Sequence, residues 1–288
     1  MSDFRPRRSV LYLPASNDRA LEKAKTLPCD GLILDLEDSV APDAKPAARD
    51  AACAAAASAG YGHREVAIRV NGAGTEWHRD DVAAACAAGP DAIVVPKANS
   101  AVAVLRLVEA MATYDAPDRT KLWAMVETPV AMLHAEEIAS ASERLTVLVM
   151  GTNDLAKELG AGQVPGRQPL VTGLGLALLA ARATGRAILD GVYNDVGDTS
   201  GFVEECRQGR EMGFDGKTLI HPSQVDGANA AFSPSEDAVA EARAIVAAWE
   251  DGEGAGVVTY RGRMIERLHV ETARRTLAMY EAIALRGT

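Results

Sequence analysis

Eight times along this chain a short apolar run is followed by an amphipathic stretch, and this alternation restricts the fold more than any other feature. The runs are SVLYLP at 9–14, GLILDLE at 31–37, EVAIRV at 65–70, AIVVPK at 92–97, LWAMVE at 122–127, LTVLVMG at 145–151, AILDGVY at 187–193 and GKTLIHP at 216–222. Apolar runs this short, with no polar face, predict strands of a parallel sheet covered by helices on both sides. Strict β–α alternation predicts an α/β protein. Eight units in roughly 230 residues predict a (β/α)8 TIM barrel. A doubly wound open sheet is the competing arrangement, but it usually opens with a G-x-G-x-x-G phosphate turn. No such turn follows any of the eight runs, and GLG at 173–175 falls inside a predicted helix. The alanine tract at 51–57 reads as a helix packed closely on the sheet, alanine being the strongest helix former.

The pattern changes at Pro234. A helix signature starts at Ser235 and stops at Gly252, a glycine-rich turn and a short hairpin follow, and HVETARRTLAMYEAIAL predicts a terminal helix. Residues 1–233 are therefore expected to form the barrel. Residues 234–288 are expected to form an appendage able to reach a neighbouring subunit.

Composition narrows the class. Of 288 residues, 48% are hydrophobic and 24% charged, the balance of an ordinary globular chain rather than a disordered one. No apolar run is long enough to span a membrane, and the first residues lack the apolar core of a secretory signal. Thirty basic residues against 40 acidic ones give a net charge of −10, which disfavours non-specific binding to nucleic acid or anionic membrane. Cys29, Cys53, Cys86 and Cys206 are scattered and form no C-x-x-C, so reduced thiols in a cytoplasmic protein are expected.

In a TIM barrel the active site lies at the carboxyl ends of the strands. The polar residues expected there are Asp35, Glu37 and Asp38, then Arg69 and Asn71, Lys97, Glu127, Gly151-Thr152-Asn153-Asp154, Asp190 and Asn194, and His221. Acids outnumber bases. Carboxylates converging on one mouth repel unless a cation lies between them, and oxygen donors favour a hard ion such as Mg²⁺. Glu127 and Asp154 form the best ligand pair, because each closes a run with no other acid beside it. Each has a plainer role open to it, as a cap of the helix that follows. Arg69 would be an inward guanidinium seeking an anion, either a substrate carboxylate or Glu37 across the strands. Asp35, Glu37 and Asp38 suit an outer layer better than direct ligation. Lys97 sits among acids, which raise a lysine pKa and disfavour imine chemistry.

The segments SVLYLPASNDRALEKA, LDLEDSVAPDAK, IRVN, VETP, MGTNDL and GFDGKTLIHPSQV together resemble the citrate lyase β-subunit-like enzymes of the HpcH/HpaI aldolase superfamily, which include malyl-CoA and citramalyl-CoA lyases. The resemblance runs in register from about Ser9 to Val225 and on into the C-terminal region. It implies a Mg²⁺-dependent barrel, with Mn²⁺ able to stand in, that cleaves or forms a carbon–carbon bond in a β-hydroxyacyl-CoA thioester. The partners implied are a CoA thioester and an α-keto acid. The metal ligands fall on Glu127 and Asp154, the substrate-carboxylate arginine on Arg69, and the acidic second layer on Glu37 and Asp38. The CoA contacts fall near Arg19, Lys23 and Lys45, for which solvated helix charge is the plainer reading, and His221–Pro222 lie beside the pantetheine arm. The resemblance also implies a lid from a neighbouring subunit in a homotrimer or homohexamer. That lid carries a catalytic aspartate in a G-x-x-I-D-like motif, whereas this chain has Gly262-Arg263-Met264-Ile265-Glu266. The extra methylene moves the acid by about an ångström, a displacement that can cost ~100-fold in rate. The departure leaves open a second activity on the same scaffold, hydrolysis of a malyl-CoA-type thioester. A non-catalytic CoA-ester-binding subunit and an aldolase acting on free hydroxy-keto acids are the remaining alternatives.

Overall fold

A computed structural model of the chain describes residues 5–162, 164–252 and 256–286. Its first unit, Arg7–Ala231, is a closed barrel of eight parallel strands in sequence order. They are β1 (Ser9–Pro14), β2 (Gly31–Asp35), β3 (Glu65–Arg69), β4 (Ala92–Val95), β5 (Lys121–Val126), β6 (Leu145–Met150), β7 (Ala187–Asp190) and β8 (Gly216–Leu219). Each coincides with one of the eight apolar runs, and β1 closes on β8 through Ser9–Lys217 and Leu11–Leu219. Among the described residues no helix is long and apolar enough to cross a membrane.

Side chains alternate faces along a strand, so every second residue points into the barrel. Val10, Ile33, Ala67, Val94, Trp123, Met125, Val147, Val149 and Leu189 fill the interior as one buried cluster. Counting on by two from this layer brings Asp35, Arg69 and Glu127 inward at the carboxyl end. Counting back brings Glu65 inward at the opposite end, where Arg7 grips it at 2.6 and 2.8 Å and stacks over Trp123. The same periodicity that builds the core therefore aims the polar residues of the mouth.

The helices cover the outer face as predicted. The alanine tract lies in helix Lys45–Ala57, which turns Ala48 and Ala52 onto the sheet. The GLG segment lies in helix Val171–Thr184. All four cysteines are free.

The second unit comprises, of the described residues, 5–6 with 232–252 and 256–286. It contains helix Glu236–Asp251, capped by the Ser235 side chain, an antiparallel hairpin of β9 (Val257–Tyr260) and β10 (Arg263–Glu266), and helix Arg267–Ala284. The glycine-rich turn predicted before the hairpin lies partly outside the described residues, as do the first four residues of the chain.

Candidate active site

At the barrel mouth, Asp35 and Arg69 are register partners on β2 and β3. Nε of Arg69 donates to Oδ1 of Asp35 at 2.6 Å and Nη2 to Oδ2 at 2.7 Å, a bidentate pair. The third nitrogen, Nη1, lies 3.0 Å from Glu37 and 3.7 Å from Asp38. The guanidinium also stacks over Tyr12, its carbon 5.0 Å from the ring centre. Arg69 is thus inward and anion-paired as expected, but its main partner is Asp35 rather than Glu37. Asp35 further accepts hydrogen bonds from the Glu37 N–H at 2.9 Å and from Ser39. It therefore orients the acidic loop as well as the arginine. Burial would raise the Asp35 pKa, but Arg69 outweighs it and holds the carboxyl below the ordinary range.

Glu127 lies just past β5 and is 1% exposed. It is not the helix cap: Thr128 fills that role, its hydroxyl accepting the Ala131 N–H at 3.0 Å. Oε1 of Glu127 accepts the Lys97 N–H at 2.7 Å. Its other face lies against Gly151, where an added Cβ would stand 2.2 Å from Oε2. Asp154 is in the first turn of helix Thr152–Leu159, whose cap is Gly151, so it is not a cap either. The positive end of the helix favours a carboxylate at that position. Lys97 brings its ammonium to 3.8 Å from Oδ1 of Asp154.

Negative charge exceeds positive charge in this mouth, and it bears on the protonation of the acids there. Burial, joined by repulsion from Asp154, pushes Glu127 up to about 7, against the pull of the Lys97 N–H and Arg69. Burial, with Asp38, Glu127 and Asp35, pushes Glu37 up to about 8 against the pull of Arg69. The Lys97 pKa is raised, because the neighbouring acids, Asp154 foremost, outweigh its desolvation. A divalent cation would relieve this excess. The described residues contain no cluster of three or more His, Cys, Asp or Glu suited to a metal. Glu127 and Asp154 offer two carboxylates, and Mg²⁺ is commonly held by one or two carboxylates with water and substrate oxygens. The donor set fits the ion.

The other predicted positions lie on separate elements. Arg19 and Lys23 are exposed one turn apart on helix Asp18–Ala24, on a common face. Lys45 is a correction. It is 5% exposed, and its ammonium donates to the carbonyls of Leu36 and Glu37 and to Asn71 Oδ1 at 2.7–2.8 Å, over the Trp77 ring. All three of its protons are used inside, so it braces the acidic loop and does not reach a phosphate. His221 is exposed and accepts the Ser223 N–H at 3.2 Å, capping the turn Pro222–Gln224. Gln224 donates to the Tyr193 carbonyl at 3.0 Å. This turn therefore braces the wall of a cavity of about 440 Å³, lined by Thr152, Asn153, Arg167, Tyr193 and Asn194 among others. Asn153 and Asn194 exchange amide hydrogen bonds at 2.7 and 3.1 Å, tying the first turn of helix Thr152–Leu159 to the segment after β7. Glu266 caps helix Arg267–Ala284, its side chain accepting the His269 N–H.

Asp190 does not open to the mouth. It is fully buried and bound by Lys217, its register partner on β8, at 3.0 Å and by Arg167 at 2.7 Å. Glu205 completes the group, 2.7 Å from Lys217 and 3.3 Å from Arg167. Sequence reasoning missed this quartet, and it missed Tyr12. For Tyr12 the signal was available, since it follows Val10 by two on β1. For Arg167 there was none, because it sits in an irregular segment at φ +53°.

Barrel, acidic mouth and paired arginine place a cluster of charged side chains at the carboxyl ends of the strands, where enzymes of this fold work. Comparison with known proteins makes the class specific: residues 8–222 match the HpcH/HpaI aldolase/citrate lyase family and residues 174–282 match a C–C bond lyase of the TIM-barrel fold. The chain belongs to the HpcH/HpaI aldolase/citrate lyase family and is an enzyme built on its carbon–carbon lyase scaffold. It is 52% identical to a (3S)-malyl-CoA thioesterase of Cereibacter sphaeroides, over 98% of this chain and 97% of that one. It is 34% identical to citrate lyase subunit beta of Escherichia coli, over 98% and 96%. Protein CitE of Mycobacterium tuberculosis, solved with magnesium, acetoacetate and coenzyme A, superposes with a TM-score of 0.78 at 30% identity, covering 98% of this chain and all of that one.

Proposed function

We propose that this chain hydrolyses a short β-hydroxyacyl-CoA thioester of the malyl-CoA type to coenzyme A and the free hydroxy acid. The observation that carries the reading is the Arg69 guanidinium, held by Asp35 with Nη1 on Glu37 and Asp38, in a barrel whose neighbouring strand ends carry the carboxylates Glu127 and Asp154. A guanidinium of this kind suits a substrate carboxylate, and the two acids suit Mg²⁺. The substrate is therefore an anion rich in oxygen donors, as malyl-CoA is. The choice of hydrolysis rests on the malyl-CoA thioesterase relatives at 52–53% identity.

Mg²⁺ between Glu127 and Asp154 would supply Lewis-acid polarisation of the substrate oxygens. Arg69 would hold the substrate carboxylate through Nη1, with Glu37 and Asp38 yielding their contacts to it. Asp35 keeps the guanidinium from following the ligand out. Arg19 and Lys23 would meet the CoA phosphates. The His221–Pro222 turn and the cavity it braces would receive the pantetheine arm. Glu266, delivered by the appendage of a neighbouring subunit, would accept the proton of the attacking water. A homotrimer or homohexamer would provide that neighbour.

Carbon–carbon cleavage to acetyl-CoA and glyoxylate is the second reading, favoured by the family match. In that reaction Glu266 would take the β-hydroxyl proton instead. One assay separates the two. With malyl-CoA and Mg²⁺, free thiol without glyoxylate is the expected product pattern. Glyoxylate without free thiol would make the chain a lyase in practice, and neither product would refute both readings.

A further inference from the structure

Lys97 follows β4 with φ at +51°, a left-handed backbone conformation that a side-chain-bearing residue adopts only when its surroundings impose it. The conformation aims its N–H at Oε1 of Glu127, 2.7 Å away. The side chain carries the ammonium to 3.8 Å from Oδ1 of Asp154. One residue thus holds both proposed metal ligands, the first by its backbone and the second by its charge. Its two grips differ in strength. The N–H bond ends on a buried carboxylate. The ammonium contact is longer than a hydrogen bond, and the Lys97 side chain is 50% exposed, so a long flexible stem can swing the charge into water at little cost. The other charges of the mouth are already committed, because Arg69 is occupied by Asp35, Glu37 and Asp38.

We propose that Lys97 is the built-in counter-cation of the site: its ammonium balances Glu127 and Asp154 in the metal-free enzyme, and a divalent ion binds by displacing that ammonium while the Lys97 N–H keeps its hold on Glu127. The proposal rests on the assignment of Glu127 and Asp154 as metal ligands. It makes Lys97 a positioning residue that sets metal affinity through a charge in competition with the ion. Neutralising that charge tightens metal binding, the reverse of what removing a ligand or a purely structural residue does.

The test is Mn²⁺ binding to the full-length protein without substrate, read by electron paramagnetic resonance of the free ion. Lys97→Met and Lys97→Gln should each bind Mn²⁺ roughly tenfold more tightly than the wild type, the order expected when a hydrated unit charge 3.8 Å from the Asp154 carboxylate no longer competes with the ion. Lys97→Arg should stay near wild type. Melting of the metal-free protein should fall in both neutral variants, and Mn²⁺ should raise it by more than in the wild type. Unchanged or weaker binding in both neutral variants overturns the role of Lys97. Glu127→Gln and Asp154→Asn report separately, since Mn²⁺ binding that survives both removes the assignment on which the proposal stands.

Discussion

Asp35 and Arg69 face each other across β2 and β3 and are joined by two parallel hydrogen bonds of 2.6 and 2.7 Å, which leave the third guanidinium nitrogen to Glu37 and Asp38. A buried ion pair adds little net stability, but removing one partner strands the other, at a cost of about 3–5 kcal/mol. Asp35→Asn should therefore lower unfolding free energy by roughly 3 kcal/mol. The loss in kcat/KM should be larger than stability alone explains, because Arg69 then turns toward Glu37. Denaturant unfolding and steady-state kinetics on the same preparation check this, and a variant with intact kcat/KM would deny Asp35 its orienting role.

Gly151 offers a test that touches no charge. Its backbone, at φ −100°, suits alanine, but the added methyl would lie 2.2 Å from Oε2 and 2.3 Å from Cβ of Glu127. The carboxylate must move. Displacement of about an ångström at a reacting centre costs on the order of 100-fold, so Gly151→Ala should lose at least that in Mg²⁺-dependent turnover while keeping its circular dichroism spectrum. Wild-type turnover would show that the position of Glu127 does not matter.

Much of this was legible in the sequence. The eight strands fall on the eight apolar runs because a buried parallel strand has no polar face to blur its edges. Glu127 was readable as the polar residue that ends an apolar strand. The Asp35–Arg69 pairing was not, because register is fixed only when the barrel closes and brings β2 against β3. Lys45 misled for a related reason. A lysine at the start of an alanine-rich helix looks solvated, and only the fold shows that the carbonyls of Leu36 and Glu37 close over it. Lys217 was hidden inside an apolar run, since its charge is balanced by Asp190 and Glu205, residues 27 and 12 positions away.

The Asp190 quartet predicts a stability effect distinct from any in the mouth. Asp190 and Lys217 are both wholly buried. Lys217→Met leaves Arg167 alone to balance Asp190 and Glu205, and should cost about 3–5 kcal/mol. Mg²⁺ affinity, measured on the fraction that folds, should be unchanged. A neutral effect on denaturant unfolding would mean that the quartet stabilises nothing.

The acids of the mouth predict an unusual response to pH. Glu127 loses its proton near its ordinary value of 4.5 in the unfolded chain but at about 7 in the folded one. Between those values the folded state binds more protons, so this group's contribution is full below pH 4.5 and is lost as pH rises through 7. Glu37, at about 8, carries the same trend further. Metal ligation requires the ionised form, so Mg²⁺ affinity should rise over the same window. Melting temperatures measured from pH 5 to 8 should therefore fall in the metal-free protein, and the increment given by Mg²⁺ should grow. A constant increment across that range would contradict the assignment.

The most direct measurement is anomalous scattering from crystals soaked in Mn²⁺. The account predicts a single strong peak within ligation distance of both the Glu127 and the Asp154 carboxylates, absent from Glu127→Gln crystals. A mouth without a peak, or a peak held elsewhere and indifferent to that substitution, would contradict it.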